Sequence, residues 1–179
     1  IAVDADPDAN LGATLGFPDA AQITPISRLK ELIRQRTGAS ETAGGLYFKL
    51  NPKVDDLPDE YAVSRDGIRL LVMGETRKGG SGCYCPENAL LAALMAHLFL
   101  GRQEVVIMDM AAGIEHLGRG TARAVDLLLI VVEPGRASLE TALRVKTLAG
   151  DLGIRELAVV GNKVRGADEE AYIRKGIEG

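Results

Sequence analysis

The chain has 179 residues, enough for one α/β domain around one core, and no break in composition marks a second. A net charge of -4, no Trp and 4% aromatics leave no basic face for a phosphate backbone and no stacking platform for single strands, which argues against a nucleic-acid partner. The longest apolar run, Ala89 to Leu100, is interrupted by His97 and too short to span a membrane, and no signal-peptide pattern is present, so the chain reads as cytoplasmic with no membrane partner.

Five apolar runs read as buried strands: Ile1–Asp4, Ile68–Gly74, Val105–Met110, Leu127–Glu133 and Leu157–Asn162. Each is continuously apolar rather than alternating, the pattern of a parallel sheet covered on both faces. The chain opens on Ile1 already in strand pattern, which predicts residues preceding it. Ile26–Arg36 is amphipathic, with Ile26, Leu29, Leu32 and Ile33 on one stripe. Gly38 to Asp66 carries Gly44-Gly45, Pro52 and Pro58 and reads mostly as connection, with a short strand near Leu46–Leu50. Pro86–Leu100 is a helix that starts at Pro and stops at Gly101, and Leu139–Leu152 is another that ends at Gly153. Strand and helix in alternation predict a doubly wound α/β fold with a mostly parallel sheet, as a single domain over residues 1–179.

Open α/β sheets bind ligands beyond the carboxyl ends of their strands, so those ends come next. Asp109 closes an apolar run in the manner of a Walker B aspartate, able to hold a magnesium-bound water. Gly113 just beyond would let a backbone N–H approach a terminal phosphate. Alone, that pattern is an ordinary strand end. The segment Asp4-Ala5-Asp6-Pro7-Asp8-Ala9-Asn10 is more specific, because carboxylates at i and i+2 leave a strand on the same side. Asp4 and Asp6 can then face one cation, one ligating through water and the other orienting the attacking water. Asn162-Lys163 resembles the start of a base-recognition loop; Arg165 stands where a guanine reader needs an acid, so adenine is the better match.

Lys78-Gly79-Gly80-Ser81-Gly82-Cys83-Tyr84-Cys85 is not a Walker A loop, since Cys83 and Tyr84 replace its lysine and its magnesium-binding hydroxyl. It holds both cysteines of the chain as Cys-x-Cys. A disulfide at that spacing would be strained, and a cytosolic thiol is kept reduced. Two thiolates supply half of a four-sulfur site, which a two-fold homodimer would complete. Zinc would take that site as a tetrahedron and Ni(II) as a square plane. His97 and His116 read as structural.

These motifs occur in one order: Asp4-Ala5-Asp6-Pro7…Asn10, the Gly79–Pro86 loop, Met108-Asp109-Met110…Gly113 to Gly120, and Val132-Glu133-Pro134…Ser138. In this the chain resembles the CooC-type ATPases that deliver nickel to carbon monoxide dehydrogenase, relatives of nitrogenase iron protein and of the MinD and ParA proteins. The resemblance implies a MinD-like P-loop NTPase fold and an ATPase that uses ATP and Mg2+, dimerises on ATP and holds Ni2+ or Zn2+ between subunits. Carbon monoxide dehydrogenase, or acetyl-CoA synthase, would be the client. It implies a catalytic role for Asp6 with Asp4, nucleotide roles for Asp109, Gly113, Pro134, Asn162 and Lys163, and a metal role for Cys83 and Cys85. A positioning ATPase of the ParA or MinD kind, or an iron-protein-like reductase, is the alternative. The family opens with a strand, a K-G-G-x-G-K-T loop and a helix that the 179 residues do not contain. The strand is expected beside the one bearing Asp109, and without the loop this polypeptide alone is expected to be inactive.

Overall fold

The computed structural model describes residues 1–42, 45–74, 85–101, 104–111, 122 and 124–178. They form a mixed α/β structure with a mostly parallel sheet, and group into two compact units, 1–111 and 112–179.

In the first unit the main sheet has four strands in the order β4-β5-β1-β6. They are β1 (Ala2–Asp4), β4 (Val63–Arg65), β5 (Ile68–Val72) and β6 (Ile107–Asp109). β1 lies parallel to both β5 and β6, pairing Asp4 with Val72 on one side and with Asp109 on the other. Leu70, Leu71, Val72 and Met73 are all buried, so both faces of β5 are covered, as its unbroken apolar run predicts. Phe17, Leu70 and Val72 form the centre of one cluster, with Leu11, Leu15 and Ile23 packed around it. Among the described residues no strand pairs with the far edge of β6, where Val105 and Ile107 are 78% and 67% exposed.

Two expectations are corrected here. The stretch 26–36 is not one helix: a 3-10 turn, Ile26–Arg28, is followed by α2 (Lys30–Thr37) after the short α1 (Leu11–Thr14). Leu29, at φ -80° and ψ 71°, breaks the hydrogen-bond ladder between them while keeping the apolar stripe aligned. The stretch 38–66 is more regular than a connection. It holds a hairpin of β2 (Ser40–Thr42) and β3 (Gly45–Tyr47), then α3 (Leu57–Tyr61), then β4 antiparallel to β5. The β4–β5 turn is Asp66-Gly67, both at positive φ (48° and 79°), the backbone a two-residue hairpin needs. Arg36 donates to both carboxylate oxygens of Asp56, at 2.9 and 2.7 Å, tying the end of α2 to the start of α3. The helix α4 (Pro86–Gly101) packs against α2 and the Ile26–Arg28 turn.

The second unit holds β7 (Leu128–Val132) parallel to β8 (Leu157–Gly161), with α5 (Arg136–Leu152) between them and α6 (Ala167–Glu178) after them. α5 starts three residues before the expected Leu139, because Gly135 breaks from β7 and serves as its N-cap. α6 was not anticipated by the hydrophobic pattern. Ile130, Val132, Leu139, Ala142 and Ile173 make the core of this unit. Leu129 and Val131, on the opposite face of β7, are 54% and 60% exposed. No helix among the described residues is long and apolar enough to cross a membrane.

Leu70 is fully buried at the centre of the first unit's cluster. Leu70→Ala is expected to cost about 2–5 kcal/mol, through lost burial and the cavity left behind, read as a lower denaturation midpoint.

Candidate carboxylate and nucleotide site

Asp4 ends β1 with no exposed surface. A carboxylate so placed must have its lone pairs met, and the chain supplies the donors locally. The Leu11 N–H donates to Oδ2 at 3.0 Å and the Asp6 N–H to Oδ1 at 3.3 Å. Asp6 in turn accepts the Asp8 N–H at 2.8 Å, and its carbonyl accepts the Ala9 N–H at 3.1 Å. The segment 4–11 is thus wound around its own two carboxylates, with Ala9 at φ 48° closing the bend.

Asp109 stands beside this segment, because Asp4 and Asp109 are register partners on adjacent parallel strands. The Ala5 N–H donates to the Asp109 carbonyl at 2.9 Å, extending the pairing one residue past β1. Burial pushes the Asp109 carboxyl above the ordinary carboxylate range. The negative charges of Asp4 and Asp6 push it further, and the Met110 N–H offsets only part of this. Three carboxylates therefore share one strand end, an arrangement that a divalent cation would relieve. Among the described residues no group of three His, Cys, Asp or Glu could hold a metal by itself. One or two carboxylates with waters and substrate phosphates is the ordinary demand of magnesium, and Asp6 and Asp109 fit that demand.

In the second unit the polar residues at the ends of β7 and β8 come together. Val132 and Gly161 are the last register pair, and the Asn162 N–H donates to the Val132 carbonyl at 2.7 Å. Asn162 Oδ1 accepts the Lys163 N–H at 3.0 Å, with Lys163 at φ 55°. Lys163 Nζ meets Glu133 at 2.5 Å, and Ser138 Oγ accepts the Glu133 N–H at 3.0 Å. Pro134 follows Glu133 directly, so Pro134, Asn162 and Lys163 share this one end of the two-stranded sheet. The Glu133–Lys163 pair was not singled out from the sequence.

Cys85 is half-buried immediately before α4, and its carbonyl accepts the Ala89 N–H at 3.1 Å. Cys83, with the loop from Gly79, lies outside the described residues, as do Gly113 and His116. His97 lies half-buried on α4.

A mostly parallel α/β sheet carrying paired carboxylates at its strand ends places the chain in the class of P-loop NTPases. The carbon monoxide dehydrogenase accessory protein CooC of Rhodospirillum rubrum is 50% identical over 97% of this chain and 66% of its own length. The chain belongs to the family of CooC-type P-loop ATPases. An uncharacterized ATP-binding protein of Methanocaldococcus jannaschii is 51% identical over 95% of the chain and 65% of its own length. A second ATP-binding protein of that organism is 36% identical over 95% of the chain. The chain thus spans slightly less than two thirds of the length of these relatives. No family model matches it.

The raised Asp109 carboxyl fixes the sign of a pH effect. The folded protein holds that proton more tightly than the unfolded chain, so the charged carboxylate costs stability above the folded pKa. The cost disappears as pH falls through that value toward the ordinary 3.8. Without magnesium, Asp109→Asn is expected to raise the melting midpoint at neutral pH, and the gain should vanish on acidification through this window. A gain independent of pH would contradict the assignment.

Proposed function

We propose that the protein is an ATP-dependent accessory factor for carbon monoxide dehydrogenase, carrying a nickel ion as cargo and cycling between nucleotide-dependent dimer states in the cytoplasm. Its 179 residues belong to one ATPase domain, whose phosphate loop they do not contain. The observation that carries the nucleotide reading is the register pairing of Asp4 with Asp109 beside Asp6, where burial and the two neighbouring charges raise the Asp109 carboxyl and a magnesium ion would favour its charged form. The client is inferred from the R. rubrum relative, a carbon monoxide dehydrogenase accessory protein.

In this reading Asp109 and Asp6 face the magnesium and the attacking water. Asp4, whose oxygens accept two backbone N–H groups, holds the segment that presents Asp6. ATP and Mg2+ supply the phosphoryl chemistry and the charge that the three carboxylates lack. Gly113 would approach the terminal phosphate. Asn162 and Lys163, with Pro134 beside them, would border adenine; the exposed Asn162 amide and the left-handed Lys163 backbone present polar groups at the carboxyl end of β8. Cys83 and Cys85 would hold the cargo, Ni2+ or Zn2+, with the same pair of a second copy, because two thiolates make only half of a four-sulfur site. Dimer closure would then set metal affinity by changing the distance between the pairs. Acetyl-CoA synthase is the other client of matching chemistry.

The phosphate-gripping K-G-G-x-G-K-T sequence is not among the 179 residues, so the tests use the complete gene product. Asp6→Asn should lower ATP hydrolysis about 10²–10⁴-fold while ATP still binds, measured by phosphate release and calorimetric titration. Unchanged turnover would remove Asp6 from the mechanism. Replacing Cys83 and Cys85 together by Ser should abolish binding of one nickel ion per dimer. Retention of that stoichiometry would end the cargo assignment for the thiols.

A further inference from the structure

Glu133 leaves β7 as an exposed residue, yet its polar groups are already occupied. Its N–H donates to Ser138 Oγ at 3.0 Å, its carbonyl accepts the Gly135 N–H at 2.7 Å, and its carboxylate holds Lys163 Nζ at 2.5 Å. Lys163 reaches it from the neighbouring strand end. The Asn162 N–H donates to the Val132 carbonyl at 2.7 Å, and Asn162 Oδ1 accepts the Lys163 N–H at 3.0 Å, with Lys163 left-handed at φ 55°. Glu169 is occupied too, its Oε2 accepting the Arg165 N–H at 2.7 Å from the same loop. The loop that leaves β8 therefore presents an ammonium and an amide, with the carboxylates of Glu133 and Glu169 already matched to donors.

Purine bases differ in what they ask of such an edge. Guanine presents N1–H and N2–H donors, which call for a carboxylate. Adenine presents its N1 and N7 acceptors beside the N6–H donor, and an ammonium has donors alone. In the sequence, the position that would carry a guanine-reading acid is Arg165. In space an acid is present all the same, because the end of the β7–β8 pairing brings Glu133 against Lys163. We propose that Lys163 masks Glu133, so that the pair excludes guanine and admits adenine at this end of the two-stranded sheet. Guanine would have to break the pair and set its own donors against an ammonium. The proposal rests on the reading above, in which the base lies against Asn162 and Lys163, and adds Glu133 as the residue that decides which base is taken. The side chains of Lys163 and Glu133 are 69% and 50% exposed. The mask is therefore modest, since an exposed ion pair is worth at most about fivefold in an equilibrium. Its loss should barely touch folding, which leaves base selectivity as the readout.

The complete gene product is titrated calorimetrically with MgADP and with MgGDP, and the ratio of the two dissociation constants is compared among variants. The parent should prefer ADP. Lys163→Met keeps the length of the side chain, frees Glu133, and should shift the ratio toward GDP by about fivefold. Lys163→Arg keeps an ion pair and should leave the ratio within about twofold, as for an ordinary surface substitution. Adding Glu133→Gln to Lys163→Met removes the freed charge and should return the ratio toward the parent, which a general loosening of the loop would not do. A ratio in Lys163→Met equal to that in Lys163→Arg overturns the proposal, as does a shift that the double variant retains. A parent that binds ADP and GDP equally also overturns it, with the nucleotide reading intact. A folded parent that binds neither removes the nucleotide reading, and this proposal with it.

Discussion

The geometry of the carboxylate end depends on a single buried charge. Asp4 has no contact with solvent, and a carboxylate in that position is tolerable only when its oxygens are met by donors. The donors come from backbone two and seven residues further on, so satisfying the charge also dictates the path of the chain. α1 begins where Asp4 can reach the Leu11 N–H. Asp6 is left at the rim with Oδ1 accepting from its own bend, and Asp109 is carried alongside by strand register. The backbone of Asp4 holds Met73 as well, which places the end of β5. The placement of the carboxylates and the fold are here the same set of hydrogen bonds.

The two strand ends differ in electrostatic character. At β1 and β6 carboxylates accumulate, and burial together with the charges of Asp4 and Asp6 makes the Asp109 carboxyl hold its proton more tightly. At β7 and β8 the acid is neutralised in place, Glu133 by Lys163, and the remaining polar groups are amide and backbone. A carboxylate cluster selects for a cation; a neutral, amide-bearing end suits a heteroaromatic edge. Each unit builds its end from the same device, a parallel strand whose last residues leave the ladder.

Much of this architecture was readable from apolar runs, because a strand covered on both faces has little choice of residue. Leu70 to Met73 is the clear case. The same signal overran the strand ends: Met73 and Gly74 stay apolar and close-packed after the β5 ladder has stopped at Val72. Helical stripes are blind to single dihedrals, so the break at Leu29 was invisible in the pattern of residues 26–36. β4 has no apolar alternation because Val63, Ser64 and Arg65 are all exposed, although Asp66-Gly67 was a legible hairpin turn. α6 hid behind its acidic first turn, Asp168 to Glu170, with Ile173 as its one buried residue. At the site, Asp4, Asp6 and Asp109 were legible as strand-end carboxylates, but the register that pairs Asp4 with Asp109 was not. Nor was the structural duty of Asp4, since it depends on an N–H seven residues away.

The open side of β6 has a consequence for handling the polypeptide. Its amide and carbonyl groups face no partner strand among the described residues, and Val105 and Ile107 flank them in solvent. β7 likewise turns Leu129 and Val131 outward. An unpaired strand edge beside exposed apolar side chains templates strand addition from a neighbouring chain. These 179 residues expressed alone would therefore precipitate or form fibrils with a steep dependence on concentration, and solubility would report directly on whether those margins have found their proper cover.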